Sequence, residues 1–237
     1  MGRTPRRNRA ETRAALFDAL LRRAASPKKG GAERLLDATV ALARRRGLIG
    51  ERSELAAIDS TGLETRHVSA YFTKRCGRHN AHFKRRYPKL SAVCDTNTHL
   101  LLSAFVNRGP KPDHVEFVPT LLAAVKCQPI DTLLGDAGYE SEPAHKFCRE
   151  ELGIESIFPT TPRGRPRRDG AAKAVNGKYR RQMLNDFPKT TYGQRWQIET
   201  TFSMLKRLLG SSLRNRRYHT INQEIILRAM TINLMII

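Results

Sequence analysis

No run of 18 apolar residues occurs in this chain, so no membrane-spanning helix is expected. The basic leader MGRTPRRNRA is followed by no continuous apolar segment, and no secretory signal is expected. Cysteine is scarce and scattered. Cys76, Cys94, Cys127 and Cys148 contain no CxxC pair and are expected to be reduced thiols of an intracellular protein. One arrangement, Cys76-x2-His79-x2-His82 with Cys94 beyond, has zinc-ligand residue types. Its spacings match no usual zinc module, so His79 and His82 are read as polar groups on a basic segment. Acid is the main shortage. There are 22 Asp and Glu against 43 Lys and Arg, for a formal charge of +21 and a pI near 10.7. That imbalance suits a polyanionic partner, although a ribosomal protein or a basic membrane-surface protein would share it. At 40% hydrophobic, the chain can bury a real core, and 237 residues suggest one large domain or one domain with a small appendage.

Chemistry concentrates in three segments. YGQRWQIETTFSMLKRLLG, residues 192–210, reads as a helix. At about 100° per residue, Tyr192, Arg195, Glu199 and Lys206 fall within roughly 60° of one another on one face. Ile198, Phe202, Leu205 and Leu209 recur at i, i+4, i+7, i+11 as an adjacent apolar stripe. The helix can therefore bury one edge and hold a phenol, a guanidinium, a carboxylate and an ammonium beside the core. Alone, it could equally be an amphipathic helix with a charged rim. The other two segments are LAAIDSTGLE and DTLLGDAGYES. Each reads as a short buried strand, Leu55 to Ile58 and Thr132 to Leu134, ending in Asp59 or Asp136 and a Gly-containing turn. An Asp there is often only a turn former or a helix cap. Parallel α/β sheets, however, carry their chemistry at the carboxyl ends of strands. Two such Asp with Glu199 would make three converging carboxylates, which raise one another's pKa unless a divalent cation relieves the repulsion.

The ordered set AIDSTG, GDAGYES and Tyr192-x2-Arg195-x3-Glu199-x6-Lys206 resembles the DDE transposases of bacterial and archaeal insertion sequences, in the group named for its Tyr-Arg-Glu-Lys order. The resemblance runs from about Ala32 to the C-terminus. It implies a ribonuclease H-like catalytic core that cuts DNA and joins the ends to a new site. By this resemblance Asp59, Asp136 and Glu199 hold two Mg²⁺ (or Mn²⁺) ions and are the catalytic residues. Arg195 and Lys206 bind transposon-end phosphates, and Tyr192 packs or hydrogen-bonds against the DNA backbone. The implied partner is double-stranded DNA, bound by a homodimer, and the implied setting is the nucleoid of the cytoplasm. A non-catalytic DNA-binding protein, decayed or domesticated, and a stand-alone ribonuclease H-like nuclease are the alternatives. Charge supports the first equally well, but three carboxylates without metal would only weaken DNA binding. The Tyr-Arg-Glu-Lys helix favours a transposase over the second.

The rest of the chain fits an α/β fold, a mixed sheet with flanking helices preceded by a short basic helical segment. Residues 1–31 form a basic arm, and 32–237 the catalytic domain. Glu11 to Arg23 and Ala32 to Arg46 look helical, separated by Ser-Pro-Lys-Lys-Gly-Gly. The first is a DNA-contacting arm or a frayed terminus. The second carries Leu35, Leu36, Val40 and Ala43 at helical spacing and stops at Gly47. No acid occurs between Arg66 and Lys89, where Arg75, Lys84, Arg85, Arg86 and Lys89 are interleaved with Tyr71, Phe72, Phe83 and Tyr87. The basic groups are assigned to DNA and the aromatics to the core. His67, His114 and Arg75 flank the site segments and are further candidates.

Leu90 to Val93 and Leu100 to Val106 read as a strand pair around Asp95-Thr96-Asn97-Thr98. Glu116 to Val125 and Ser141 to Leu152 read as helices, and Ile154 to Phe158 as a strand. Thr160 to Lys189 reads as a long basic loop whose Arg165, Arg167 and Arg168 are assigned to DNA. Asn222 to Ile237 is an apolar helix. A chain ending inside it implies either a truncated reading frame or a helix end buried against the core. Only about 30 residues precede the matching part, fewer than the DNA-recognition region usual in this group.

Overall fold

The computed structural model describes residues 30–65, 75, 86–160 and 175–237. Seven strands and seven α-helices occur among them. Helix α1 (Gly31–Arg45) buries Leu36, Val40 and Ala43 and ends at Gly47, whose φ of 73° favours glycine. Leu35 is 50% exposed, so the apolar stripe is narrower than the sequence spacing implied. Strands β1 (Ser53–Gly62), β2 (Glu64–Thr65), β3 (Tyr87–Asp95) and β4 (Leu101–Gly109) follow. Helix α2 (His114–Cys127), strand β5 (Ile130–Leu134) and helix α3 (Glu142–Lys146) come next. A π-helical turn, Phe147–Glu151, continues α3 and leads to β6 (Glu155–Ile157). The last third holds α4 (Lys178–Asn185), α5 (Lys189–Tyr192), a 3-10 turn (Gly193–Arg195), α6 (Trp196–Leu209), β7 (Ser212–Leu213) and α7 (Tyr218–Ile236).

Five strands form one sheet in the order β4-β3-β1-β5-β6. β4, β3 and β1 are antiparallel neighbours, while β1, β5 and β6 run parallel. A mixed sheet of this kind is covered by helices on both faces. Ala57, Leu90, Ala92, Cys94 and Leu134 pack with α6 and α7 through Ile198, Phe202, Leu205, Ile225 and Ala229. Ala56, Ile58, Val93, Leu102 and Leu133 pack with α2 and the π-helical turn through Phe117, Leu121 and Phe147. The period-2 alternation along each strand therefore sorts the residues into two cores. Asn233 on α7 closes the first layer. Its amide accepts from Leu101 N at 2.8 Å and donates to Leu101 O and Thr39 Oγ1, both at 2.9 Å.

Two sequence expectations are corrected here. β1 does not stop at Ile58. Its antiparallel ladder with β3 runs on to Gly62 opposite Lys89, because backbone pairing continues where the side chains turn polar. The second concerns residues 175–189, expected as loop. Helix α4 forms there on two apolar anchors, Tyr179 and Met183, both buried. Glu142 supplies the missing cap, accepting from Lys178 N at 2.9 Å and Arg180 N at 3.2 Å. Arg180 pairs with the buried Glu140. Two anchors and a distant carboxylate leave almost no periodic signal. Residues 161–174, with Arg165, Arg167 and Arg168, lie outside the described residues.

Candidate active site

The sheet register brings the first two acidic segments together. The parallel ladder between β1 and β5 ends at Ala57 opposite Leu134. Asp59 and Asp136 each lie two residues beyond that pair. Ala57 and Leu134 face the α6 side of the sheet, and Asp59 shares the face of Ala57. Gly135 makes the exit from β5 possible. A Cβ there would lie 2.8 Å from the Phe158 ring and 3.2 Å from Ile58 Cγ2. Asp136 then builds its own turn, accepting from Gly138 N at 2.8 Å.

Helix α6 crosses the same face. Ile198, Phe202 and Leu205 anchor it in the core, and its polar row looks back at β1. Arg195 places Nη1 3.4 Å from Asp59 Oδ2 and pairs through Nη2 with Glu199. One guanidinium thus bridges a strand carboxylate and a helix carboxylate 140 residues apart in sequence. Two turns further along, Lys206 Nζ donates to Thr61 Oγ1 at 2.6 Å. Thr61 is two residues past Asp59, on the same face, and its part was not evident from sequence. Tyr192 sets its ring edge-on to Phe187 at 4.9 Å, so its first contact is with the protein. Trp196, the single tryptophan, is 54% exposed beside Arg195 and was also passed over in the sequence.

Burial pushes the Asp59 carboxyl up to about 6; the Ser60 N–H and Arg195 oppose this, while Asp136 and Glu199 add to it. Asp136 and Glu199 thus both act on Asp59, and an all-oxygen anionic set fits a hard divalent cation. The expectation that they already stand gathered is not met. Among the described residues, no three His, Cys, Asp or Glu side chains are grouped closely enough to hold a metal. Arg195 stands between Asp59 and Glu199 and supplies the positive charge.

Behind the sheet lies a second polar group. Lys89, assigned to DNA from sequence, is instead buried, with Nζ 2.8 Å from Asp113 and 3.2 Å from Glu116. β3 turns Lys89 and Ser91 towards α2, so its charge faces inward. His114 begins α2 and is exposed, next to Asp113. Arg75 is exposed. Lys84, Arg85 and His67 lie outside the described residues, as do Cys76, His79 and His82. Cys94, Cys127 and Cys148 form no disulfide. Among the described residues no helix is long and apolar enough to cross a membrane.

The chain belongs to the family of the transposase DDE domain, whose family model matches residues 50–234. No curated protein matches it.

Proposed function

We propose that this chain is a DNA transposase with a ribonuclease H-like core, in which Asp59, Asp136 and Glu199 hold two divalent ions, Mg²⁺ or Mn²⁺. The observation that carries the reading is the Arg195 bridge. It joins Asp59 and Glu199 beside the carboxyl end of β5, whose exit leads to Asp136. When bound, the ions activate water or a freed 3′-hydroxyl for attack and stabilise the leaving 3′-oxygen. The reaction is phosphodiester hydrolysis followed by transesterification, so no nucleotide cofactor enters.

The chain's own groups have separable roles. Asp59 is half-buried, and burial raises its carboxyl pKa, so it gains most from a cation. Arg195 has a planar fork suited to two phosphate oxygens, and it can exchange its carboxylate partners for a transposon-end phosphate. Lys206 presents a point charge from a helix anchored in the core, with Thr61 fixing its ammonium. The basic residues of 1–31 and 161–174 add phosphate contacts that carry affinity without sequence information. Two copies of the chain, one for each transposon end, make the working unit.

A second reading, a DNA-binding protein without catalysis, is favoured by one observation: Arg195 already neutralises two of the carboxylates. Single-turnover cleavage of an end-containing duplex in Mg²⁺ separates the two. The wild-type chain should cut, and Asp59→Asn should retain DNA binding and lose cutting. Binding with no cutting by the wild type supports the second reading.

A further inference from the structure

Asp113 stands where an aspartate usually serves its own helix. It occupies the N-cap of α2, yet its side chain accepts from none of that helix's N–H groups. It turns to the back of the sheet. Ser60 donates its hydroxyl to Asp113 Oδ1, and Lys89 Nζ lies 2.8 Å from the same oxygen. Lys89 also reaches Glu116 at 3.2 Å and Lys111 O at 2.9 Å, so its three donors have three acceptors. Ser91 donates to Glu116. Lys89 and Glu116 are deeply buried, their side chains 4% and 1% exposed, while Asp113 at the edge of the group is 31% exposed.

The second oxygen of Asp113 reaches the other acidic segment. A Cβ built on Gly138 would be 3.5 Å from Asp113 Oδ2 and 2.9 Å from Asp136 Oδ1. Asp113 therefore lies against the turn that Asp136 builds, while holding the residue that follows Asp59. Ser60 N in turn donates to Asp59 Oδ1 at 2.7 Å. Buried, paired charges of this kind are costly to assemble and contribute less to stability than to a fixed arrangement.

We propose that Asp113 is a positioning residue: fastened by Lys89, it holds Ser60, lies against the Asp136 turn from behind the sheet and sets the separation of Asp59 and Asp136. This rests on the reading of those two residues as metal ligands. Partners one step behind the ligands typically affect metal affinity or activity by about 10–100-fold.

The test uses the full chain with Asp113→Ala, Asp113→Asn, Ser60→Ala and the Ser60→Ala/Asp113→Ala double variant. Mn²⁺ binding is read by electron paramagnetic resonance, cleavage by single turnover, and DNA binding and thermal midpoint are measured alongside. Asp113→Ala should weaken Mn²⁺ binding and slow cleavage by about 10–100-fold, with DNA affinity unchanged within about twofold. Asp113→Asn still accepts from Ser60 and should recover most of the loss. The double variant should be no worse than Asp113→Ala alone, because both changes cut one chain of contacts. If Asp113→Ala does not fold, Ser60→Ala carries the test, with a smaller loss of Mn²⁺ binding expected. Wild-type Mn²⁺ affinity and cleavage in folded Asp113→Ala or Ser60→Ala, or additive losses in the double variant, overturn the positioning role alone. A wild-type chain that binds no Mn²⁺ overturns the catalytic reading, and the positioning role with it.

Discussion

Asp59 shows what the site costs the fold. Its folded pKa, about 6, lies above its ordinary 3.8. As pH rises from about 4 to 6, the unfolded chain gives up a proton that the folded chain keeps. Stability therefore falls through that window and stays lower above it, by something on the order of 1–3 kcal/mol. Asp59→Asn removes the penalty. In metal-free buffer at pH 7 to 8, its melting temperature should exceed that of the wild type by a few degrees, and the gap should close towards pH 4. Thermal unfolding at several pH values measures this directly. A variant less stable than the wild type at pH 7 means that the Arg195 ion pair outweighs desolvation. His145 differs: burial first, then Arg149, lowers its pKa to about 4, and its Nδ1 sits 2.7 Å from Ser156 Oγ. Below about 6.5 the unfolded chain takes up a proton that buried His145 refuses, so His145 lowers stability as pH falls towards 4, opposite in sign to Asp59. It is common to both chains and cancels when Asp59→Asn is compared with the wild type.

At the scale of elements, α6 and the basic loop should divide the labour. α6 is fixed by three buried apolar side chains, and Lys206 is held to Thr61 on β1. Lys206→Ala should slow single-turnover cleavage of a pre-nicked end at saturating protein by about tenfold or more. Neutralising Arg165, Arg167 and Arg168 together should mainly weaken binding. The reverse pattern would mean that the loop, not the helix, meets the scissile phosphate. Helix α4 offers a structural counterpart. Its N-terminal N–H groups rely on Glu142, and Glu142→Ala should lower stability by about 1 kcal/mol, read as a shift in the denaturant midpoint.

For the whole molecule, the +21 charge governs association. Each phosphate contact releases counterions, so log Kd should rise linearly with log salt. Removing the three loop arginines should flatten that line by two to three contacts' worth, about 0.9 per contact. Asp59→Asn should leave it unchanged. Trp196 provides the signal, being the one tryptophan and exposed beside Arg195. A titration in which its fluorescence is unmoved by DNA would place the duplex away from the start of α6.

The sequence alone determined the elements with strong local signals. The periodic stripe of α6, the apolar runs of β3 to β5 and the terminal apolar helix all appear within a few residues of expectation. So did the motif order and the charge, because these are properties of neighbours along the chain. The tertiary structure decided what depends on partners far away in sequence. Lys89 reads as one more cation in a basic run until α2 brings Asp113 and Glu116 to it. β1 runs past Ile58 only because β3 continues beside it, and α4 exists because Glu142 caps it. The same holds at the site. Spacing put Arg195 and Glu199 on one helical face, but only the sheet register set Asp59 against them, since a salt bridge across 136 residues leaves no local pattern to read.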